Sequence, residues 1–414
     1  MQIAIKTFKS IGLLLIAGLL AWRALVTGLA DYYANQETPE ADVGALRWRS
    51  DQPVALYRQG QALSERDPPE AEFLLQAAIW ANPADALSYL TLAELWQRAG
   101  FTEKATGLMA IADLLGPLRP PVLAHSAAFW LQENRLDLAL ARWSMLLRTR
   151  PENAARLYPV FLQLAENPQT QSFLRPLLTN PPEWWDGFFT YAAATAIQPE
   201  TVTFLYQNRN RNGALPAAAE QQRYLGRLWK EERWLEAYLA WLGGLDERQQ
   251  QGLGNLYNGG FDLPVTNTGF DWRMTSPLGT TVETLQTYNT RGGNALHIGF
   301  NGERVRFQHV FQYLYLEPGR YQFQGRGRVD SLHTERGLRW KLRCAVAKAP
   351  LLAESEPFLG SEDWRRFAIN FVVPEQDCPL QLLRLELDGR VELEFEARGD
   401  AWFDDLSISR TEQN

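Results

Sequence analysis

Between Asn258 and Trp272 the chain changes its hydrophobic rhythm. Before this stretch, from about residue 52, apolar residues recur at helical spacing in short segments. After it they alternate every second residue, in runs that end at Ala401-Trp402-Phe403-Asp404-Asp405-Leu406-Ser407-Ile408. A period of 3.6 and a period of 2 cannot share one element, so the chain must build a helical part and then a sheet part. The stretch Asn258–Trp272 and the closing run are expected to be the first and last strands of one β-sandwich. The whole chain therefore reads as multidomain α plus β. Residues 1–30 form a membrane anchor or signal segment, 31–51 a linker, 52–250 helical repeats and 251–414 the sandwich.

A formal charge of −7 over 414 residues argues against a nucleic-acid partner. Fifteen Trp and 14 Tyr exceed what a typical chain carries. Such rings fill cores and also stack on sugars, so they raise a carbohydrate reading without deciding it. The two cysteines, Cys344 and Cys378, both lie in the strand-rich part. In an oxidising compartment they are expected to form a disulfide; the rival reading is two buried thiols.

At the N-terminus, Lys6 and Lys9 precede Ile11–Ala30, twenty residues broken only by Arg23. As a helix these cover about 30 Å, the hydrocarbon thickness of a bilayer. The basic flank then stays cytoplasmic, and the rest of the chain lies on the periplasmic or extracytoplasmic side of the inner membrane. An uncleaved single-pass anchor through residues 11–30 is the favoured reading. A signal peptide cleaved after Gly28-Leu29-Ala30 is the rival, and both export the chain. The segment Asp31–Ser50 is polar and carries Pro39, so it reads as a linker.

Pro83, Pro117 and Pro151 stand 34 residues apart, at the ends of expected second helices. Between them, Tyr89, Leu92, Ala93 and Trp96 take the packing positions of a first helix, and Ala105, Met109 and Ala112 those of a second. Leu123, Ala127, Trp130, Ala139, Trp143 and Leu146 repeat the pattern, and Ala62, Ala71, Leu75 and Ala78 show it more weakly. These residues resemble tetratricopeptide repeats over about residues 52–151. Less regular helical units, including Glu200–Asn210, continue to residue 250 and end with Tyr224, Leu225, Leu228, Trp229, Ala237 and Trp241. By this resemblance the region holds protein partners.

Strands are expected at Val305–Leu316, Arg320–Val329, Leu338–Ala347, Trp364–Val373, Leu380–Leu387 and Val391–Glu396. Leu338, Trp340, Leu342 and Cys344 alternate with Arg339, Lys341 and Arg343, which places a basic row on the opposite face. The order Asn-Gly-Gly-Phe-Asp, Glu-Pro-Gly-Arg-Tyr, Trp364 opening a strand that ends in Val-Pro, and Trp-Phe-Asp-Asp-Leu-Ser-Ile resembles the jelly-roll carbohydrate-binding modules of xylanases and cellulases. The resemblance implies a structural calcium ion held by Asp262 and Asp404, although Asp404 could equally cap a turn. It also implies aromatic ligand contacts. Trp272 is the foremost candidate, followed by Tyr288 and Trp402. Tyr313, Tyr315, Trp340 and Trp364 complete the set, with Trp340 read as core.

No P-loop, Gly-x-Ser-x-Gly elbow or His-Glu-x-x-His motif is present, and His125, His297, His309 and His333 show no metal-ligand spacing. The repeats and the sandwich occupy the chain, so the expectation is a non-enzymatic, membrane-anchored scaffold of polysaccharide assembly or export. Its repeats would bind proteins and its sandwich glycan. A protein adaptor that binds no sugar is the alternative, and an enzyme with an unrecognised carboxylate pair is a third.

Overall fold

The computed structural model describes residues 2–209, 216–290, 292–346 and 350–411. The expected helix end at Asn210 and strand end at Ala347 lie outside the described residues. Two compact units part between Phe188 and Phe189. The first holds helices α1 (Gln2–Ala34), α2 (Pro39–Trp48), α3 (Pro53–Leu63), α4 (Pro68–Ala81), α5 (Ala86–Arg98), α6 (Thr102–Leu115), α7 (Pro120–Gln132), α8 (Leu136–Thr149), α9 (Ala154–Glu166) and α10 (Arg175–Thr179), and the start of α11 (Trp185–Thr195).

In α1, the stretch Leu14–Ala34 is long and apolar enough to cross a membrane, by length and composition. The helix does not stop at residue 30. Ala30 and Ala34 are buried; Ala34 packs with Ala45 of α2 and Ala55 of α3. Arg58 of α3 donates to the last-turn carbonyl of Ala34 at 2.5 Å and pairs with Glu37 and Asp42, placing a cation at the negative end of α1. Residues 31–51 are thus not a linker. Pro39 sits in the first turn of α2, where its missing N–H costs nothing, and Thr38 caps that helix by accepting from the amide of Ala41.

Three helical hairpins follow, α3/α4, α5/α6 and α7/α8. Their second helices start at Pro68, Thr102 and Leu136 and end at Ala81, Leu115 and Thr149, a repeat of 34 residues at both ends. The expected interior residues are buried or half-buried, with one exception. Ala62 is exposed, and the close approach of α3 to α4 is made by Gly60, where an added Cβ would lie 2.8 Å from Leu75 Cγ. Between α6, α7 and α8 the buried Asp113 accepts from Ser126 Oγ (2.5 Å), Trp130 Nε1 (2.9 Å) and Arg142 Nη2 (2.8 Å).

The second unit carries α12 (Pro199–Arg209), α13 (Ala218–Lys230), α14 (Trp234–Leu242), α15 (Glu247–Gln250) and a sandwich of two five-stranded antiparallel sheets. The strands are β1 (Arg273–Met274), β2 (Thr280–Gln286), β3 (Asn294–Arg304), β4 (Val310–Leu314), β5 (Gly319–Thr334), β6 (Leu338–Cys344), β7 (Leu351–Glu354), β8 (Gly360–Val373), β9 (Gln381–Leu387) and β10 (Glu396–Arg410). One sheet runs β1-β4-β9-β6-β7 and the other β2-β3-β10-β5-β8. Their inner faces enclose Trp272, Phe323, Trp340, Phe358 and Phe403. Cys344 and Cys378 are joined by a disulfide.

The opening stretch Asn258–Trp272 is not a strand. It still meets the closing strand, because the Leu406 amide donates to Gly259 O at 2.9 Å. A Cβ on Gly259 would fall 1.8 Å from Leu406 O, so only glycine permits the approach. Glu392–Phe395 is a 3-10 turn where a strand was expected, and β10 begins only after it.

The unit boundary falls within the helical stretch, not at residue 250, because rings of α13 and α14 pack on the sandwich. Trp229 meets Tyr313 and Phe270, Tyr238 stacks on Tyr315 at 5.6 Å, and Trp241 meets Tyr257 at 5.0 Å. These helices cover the β4 side of the first sheet's outer face. The remainder of that face carries an ion lattice: Lys341 Nζ lies 3.2 Å from Asp388, 3.4 Å from Glu386 and 3.9 Å from Glu354, and Arg343 and Arg384 also reach Glu386.

Burial opposes the Glu386 charge, but the Arg384 hydrogen bond and the charges of Arg384, Lys341 and Arg343 outweigh it and hold its pKa below the ordinary value; Asp388 is lowered in the same way by Lys341 and Arg336. A carboxylate whose folded pKa is depressed stabilises the fold above its unfolded pKa and loses that contribution as pH falls through the folded one. Denaturation from pH 7 down to pH 3 should therefore show Glu386→Gln costing about 1.5–3 kcal/mol near neutrality, with the gap to the parent closing in acid. Trp241→Ala, which empties the seam, should cost about 3–5 kcal/mol in the same assay.

Candidate glycan-binding face

With the first sheet's outer face taken, the outer face of the second sheet is where polar and aromatic side chains converge on open space. Cross-strand registers arrange them in rows. Glu283, His297, Trp402 and Arg328 stand side by side in the first. Asp404, Arg326 and Arg366 form the second, Ser407, Gln324 and Ala368 the third, and Ser409, Gln322 and Asn370 the fourth.

In the first row, Arg328 is only 5% exposed. Its guanidinium lies 4.5 Å from the Tyr288 ring, 4.8 Å from Trp402 and 5.6 Å from Trp364, donates to Thr287 Oγ1 at 3.3 Å and pairs with Asp330 at 3.1 Å. A guanidinium among rings is held by their quadrupoles as well as by packing. His297 stacks on the other side of Trp402, with ring centres 4.1 Å apart, and bridges Asp400 (2.8 Å) and Glu283 (3.4 Å). Trp364 Nε1 donates to Tyr288 O at 3.0 Å, and Tyr288 Oη donates to Asp363 at 3.2 Å, so these two rings hold each other. Tyr288 remains 55% exposed.

The small side chains of the third row open a cleft of about 570 Å³ beside this cluster, lined by Gly260, Gln324, Arg326, Arg366, Asp405 and Ser407. Arg326 pairs with Asp405 at 3.4 Å and lies 5.1 Å from the Trp364 ring. Rings beside amide, hydroxyl and guanidinium groups can offer a sugar an apolar platform and equatorial hydrogen bonds together.

Sequence reasoning placed Tyr288 and Trp402 here, but Trp402 is half-buried between His297 and Arg328 and supports the site without offering an open ring. Trp272 is not part of it. The side chain is 0% exposed, packs on Phe261 and Trp340, and donates from Nε1 to Asn258 O at 3.1 Å. The neighbouring Asp271 ties the loop by accepting from Thr266 and Trp272, which turns the Trp272 ring inward. Tyr313 and Tyr315 are occupied by α13 and α14, and Trp340 is core.

The carboxylates of Asp262 and Asp404 flank one glycine: a Cβ on Gly260 would lie 3.2 Å from Asp262 Oδ2 and 3.8 Å from Asp404 Oδ1. Asp404 is 1% exposed, and its Oδ1 accepts from the Asp405 amide. Among the described residues no group of three or more Asp, Glu, His or Cys side chains could hold a metal, so a cation here would need backbone and water oxygens to complete its shell.

Arg326, Arg328, Arg366 and Gln324 were missed by sequence reasoning. The alternation Gln322-x-Gln324-x-Arg326-x-Arg328 carried the signal, since it puts four polar side chains on one face of β5.

No family model matches the chain, and no curated protein matches it. Solved structures similar to part of it include a CBM4 carbohydrate-binding module (17% identity, 38% of this chain and 99% of the other, TM-score 0.29). Another is TmCBM61 in complex with β-1,4-galactotriose (18% identity, 38% and 99%, TM-score 0.27). A third is the CBM22-1 xylan-binding domain of Paenibacillus barcinonensis Xyn10C (12% identity, 38% and 94%, TM-score 0.26).

Core and platform residues should separate in one experiment. Trp272→Ala should lower the unfolding free energy by about 3–5 kcal/mol. Trp364→Ala, at a half-exposed position, should change it by under about 1.5 kcal/mol. Denaturant titration of the two variants checks both values.

Proposed function

We propose that the second unit binds glycan on the outer face of the sheet β2-β3-β10-β5-β8, with Tyr288 and Trp364 as the stacking platform and Gln324, Arg326 and Ser407 as polar contacts. The observation that carries this reading is the joined pair of accessible rings, fixed by Arg328 and by the Trp364–Tyr288 hydrogen bond, at the rim of a polar cleft. Rings held in place before binding lose little entropy when a sugar docks. The names of the carbohydrate-binding modules cited above agree with this reading.

The wider role in the proposal is a membrane-anchored, exported scaffold of polysaccharide assembly or export, with α1 as the anchor and the helical hairpins as the surface for protein partners. It assigns no catalytic step. A structural calcium ion held by Asp262 and Asp404 belongs to the proposal too, supported by the two carboxylates that flank Gly260.

The test is a glycan array probed with the full-length chain in detergent, with and without a chelator. Binding should fall about tenfold for Trp364→Ala and for Tyr288→Ala, the loss of roughly 1.4 kcal/mol. A chelator should lower the melting temperature of the parent but not of Asp262→Asn. Silence across neutral and acidic glycans from folded protein would sink the glycan role and favour a protein adaptor.

A further inference from the structure

One guanidinium of the cleft on this face has no carboxylate paired to it among the described residues. Arg326 and Arg366 stand directly opposite each other on β5 and β8, a like-charged cross-strand pair that is unfavourable without a counter-charge. Asp405 meets Arg326, and Asp404 lies beneath the same row. Arg366 is exposed, lines the cleft, and has no ion-pair or hydrogen-bond partner among the described residues. Its neighbour Arg365 differs: it pairs with Glu362 at 2.6 Å. The other groups at the cleft, Gln324, Ser407 and the backbone of Gly260, are uncharged, and the chain as a whole carries −7. A guanidinium left open beside a second one, in an acidic protein, is an anion site with fork geometry suited to a carboxylate.

Resting on the glycan reading above, we infer that the ligand is an acidic polysaccharide, a chain of uronic acids. One sugar ring lies on Trp364 and Tyr288, and the carboxylate of a sugar in the cleft meets Arg366, with Arg326 as the second donor held in place by Asp405. Arg328 takes no part in this contact, because its own rings enclose it.

The experiment titrates the full-length chain in detergent micelles with tetrasaccharides of galacturonate, glucuronate and mannuronate, each beside its carboxyl-reduced, neutral counterpart. At least one uronate should bind about tenfold or more tightly than its neutral form. Arg366→Gln should remove that preference by lowering uronate affinity about tenfold, and Arg366→Lys should restore part of it. Equal affinity for the acidic and neutral forms, with Arg366→Gln silent, overturns the inference while the glycan reading stands. No binding to any of the six by folded protein overturns the inference, and the glycan array above decides the glycan reading separately. Dextran sulfate bound as tightly as the best uronate would mean general polyanion attraction, and the inference would fall.

Discussion

The aromatic seam between α13, α14 and the sandwich decides what the second unit can do. Trp229, Tyr238 and Trp241 spend their apolar surface on Phe270, Tyr313, Tyr315 and Tyr257. A sandwich has two outer faces, and this contact, together with the Lys341 ion lattice, uses one of them. Among the described residues, the outer face of β2-β3-β10-β5-β8 is left uncovered by these contacts. The seam also explains why the last helices belong with the sandwich: Trp229, Tyr238 and Trp241 pack on its rings.

On the open face, side-chain size along the register determines the shape. Large residues in the first row, Trp402 and Arg328, build a raised aromatic wall; Ser407 and Ala368 in the third leave the depression beside it. The wall is stiff because every ring in it has a second contact. Trp402 lies between His297 and Arg328, and Trp364 is pinned to the Tyr288 carbonyl. Such interlocking gives a platform its geometry before any ligand arrives.

The division into helices and strands, the 34-residue hairpins and the inward row Leu338, Trp340, Leu342 and Cys344 were legible from periodicity alone, because burial imposes the period directly. The fate of individual tryptophans was not. Trp272 and Trp364 are equally apolar, and only the Asp271 loop, which turns one ring inward, and the β8 register, which sets the other beside Arg328, tell them apart. Likewise Pro39 reads as a break on its own and as a helix start only once Thr38 is seen to cap it. The arginines of β5 escaped because Gly325 and Gly327 occupy their inward neighbours' positions and weaken the apolar half of the alternation.

The packing of α1 against α2 and α3 has a mechanical consequence. A disordered tether of some twenty residues would let its cargo wander roughly 25 Å from its attachment point. Here Ala30, Ala34 and the clasp of Arg58 on the Ala34 carbonyl remove that freedom. The apolar helix is joined to the first hairpin by packed side chains and a cation–carbonyl contact, not by a free tether.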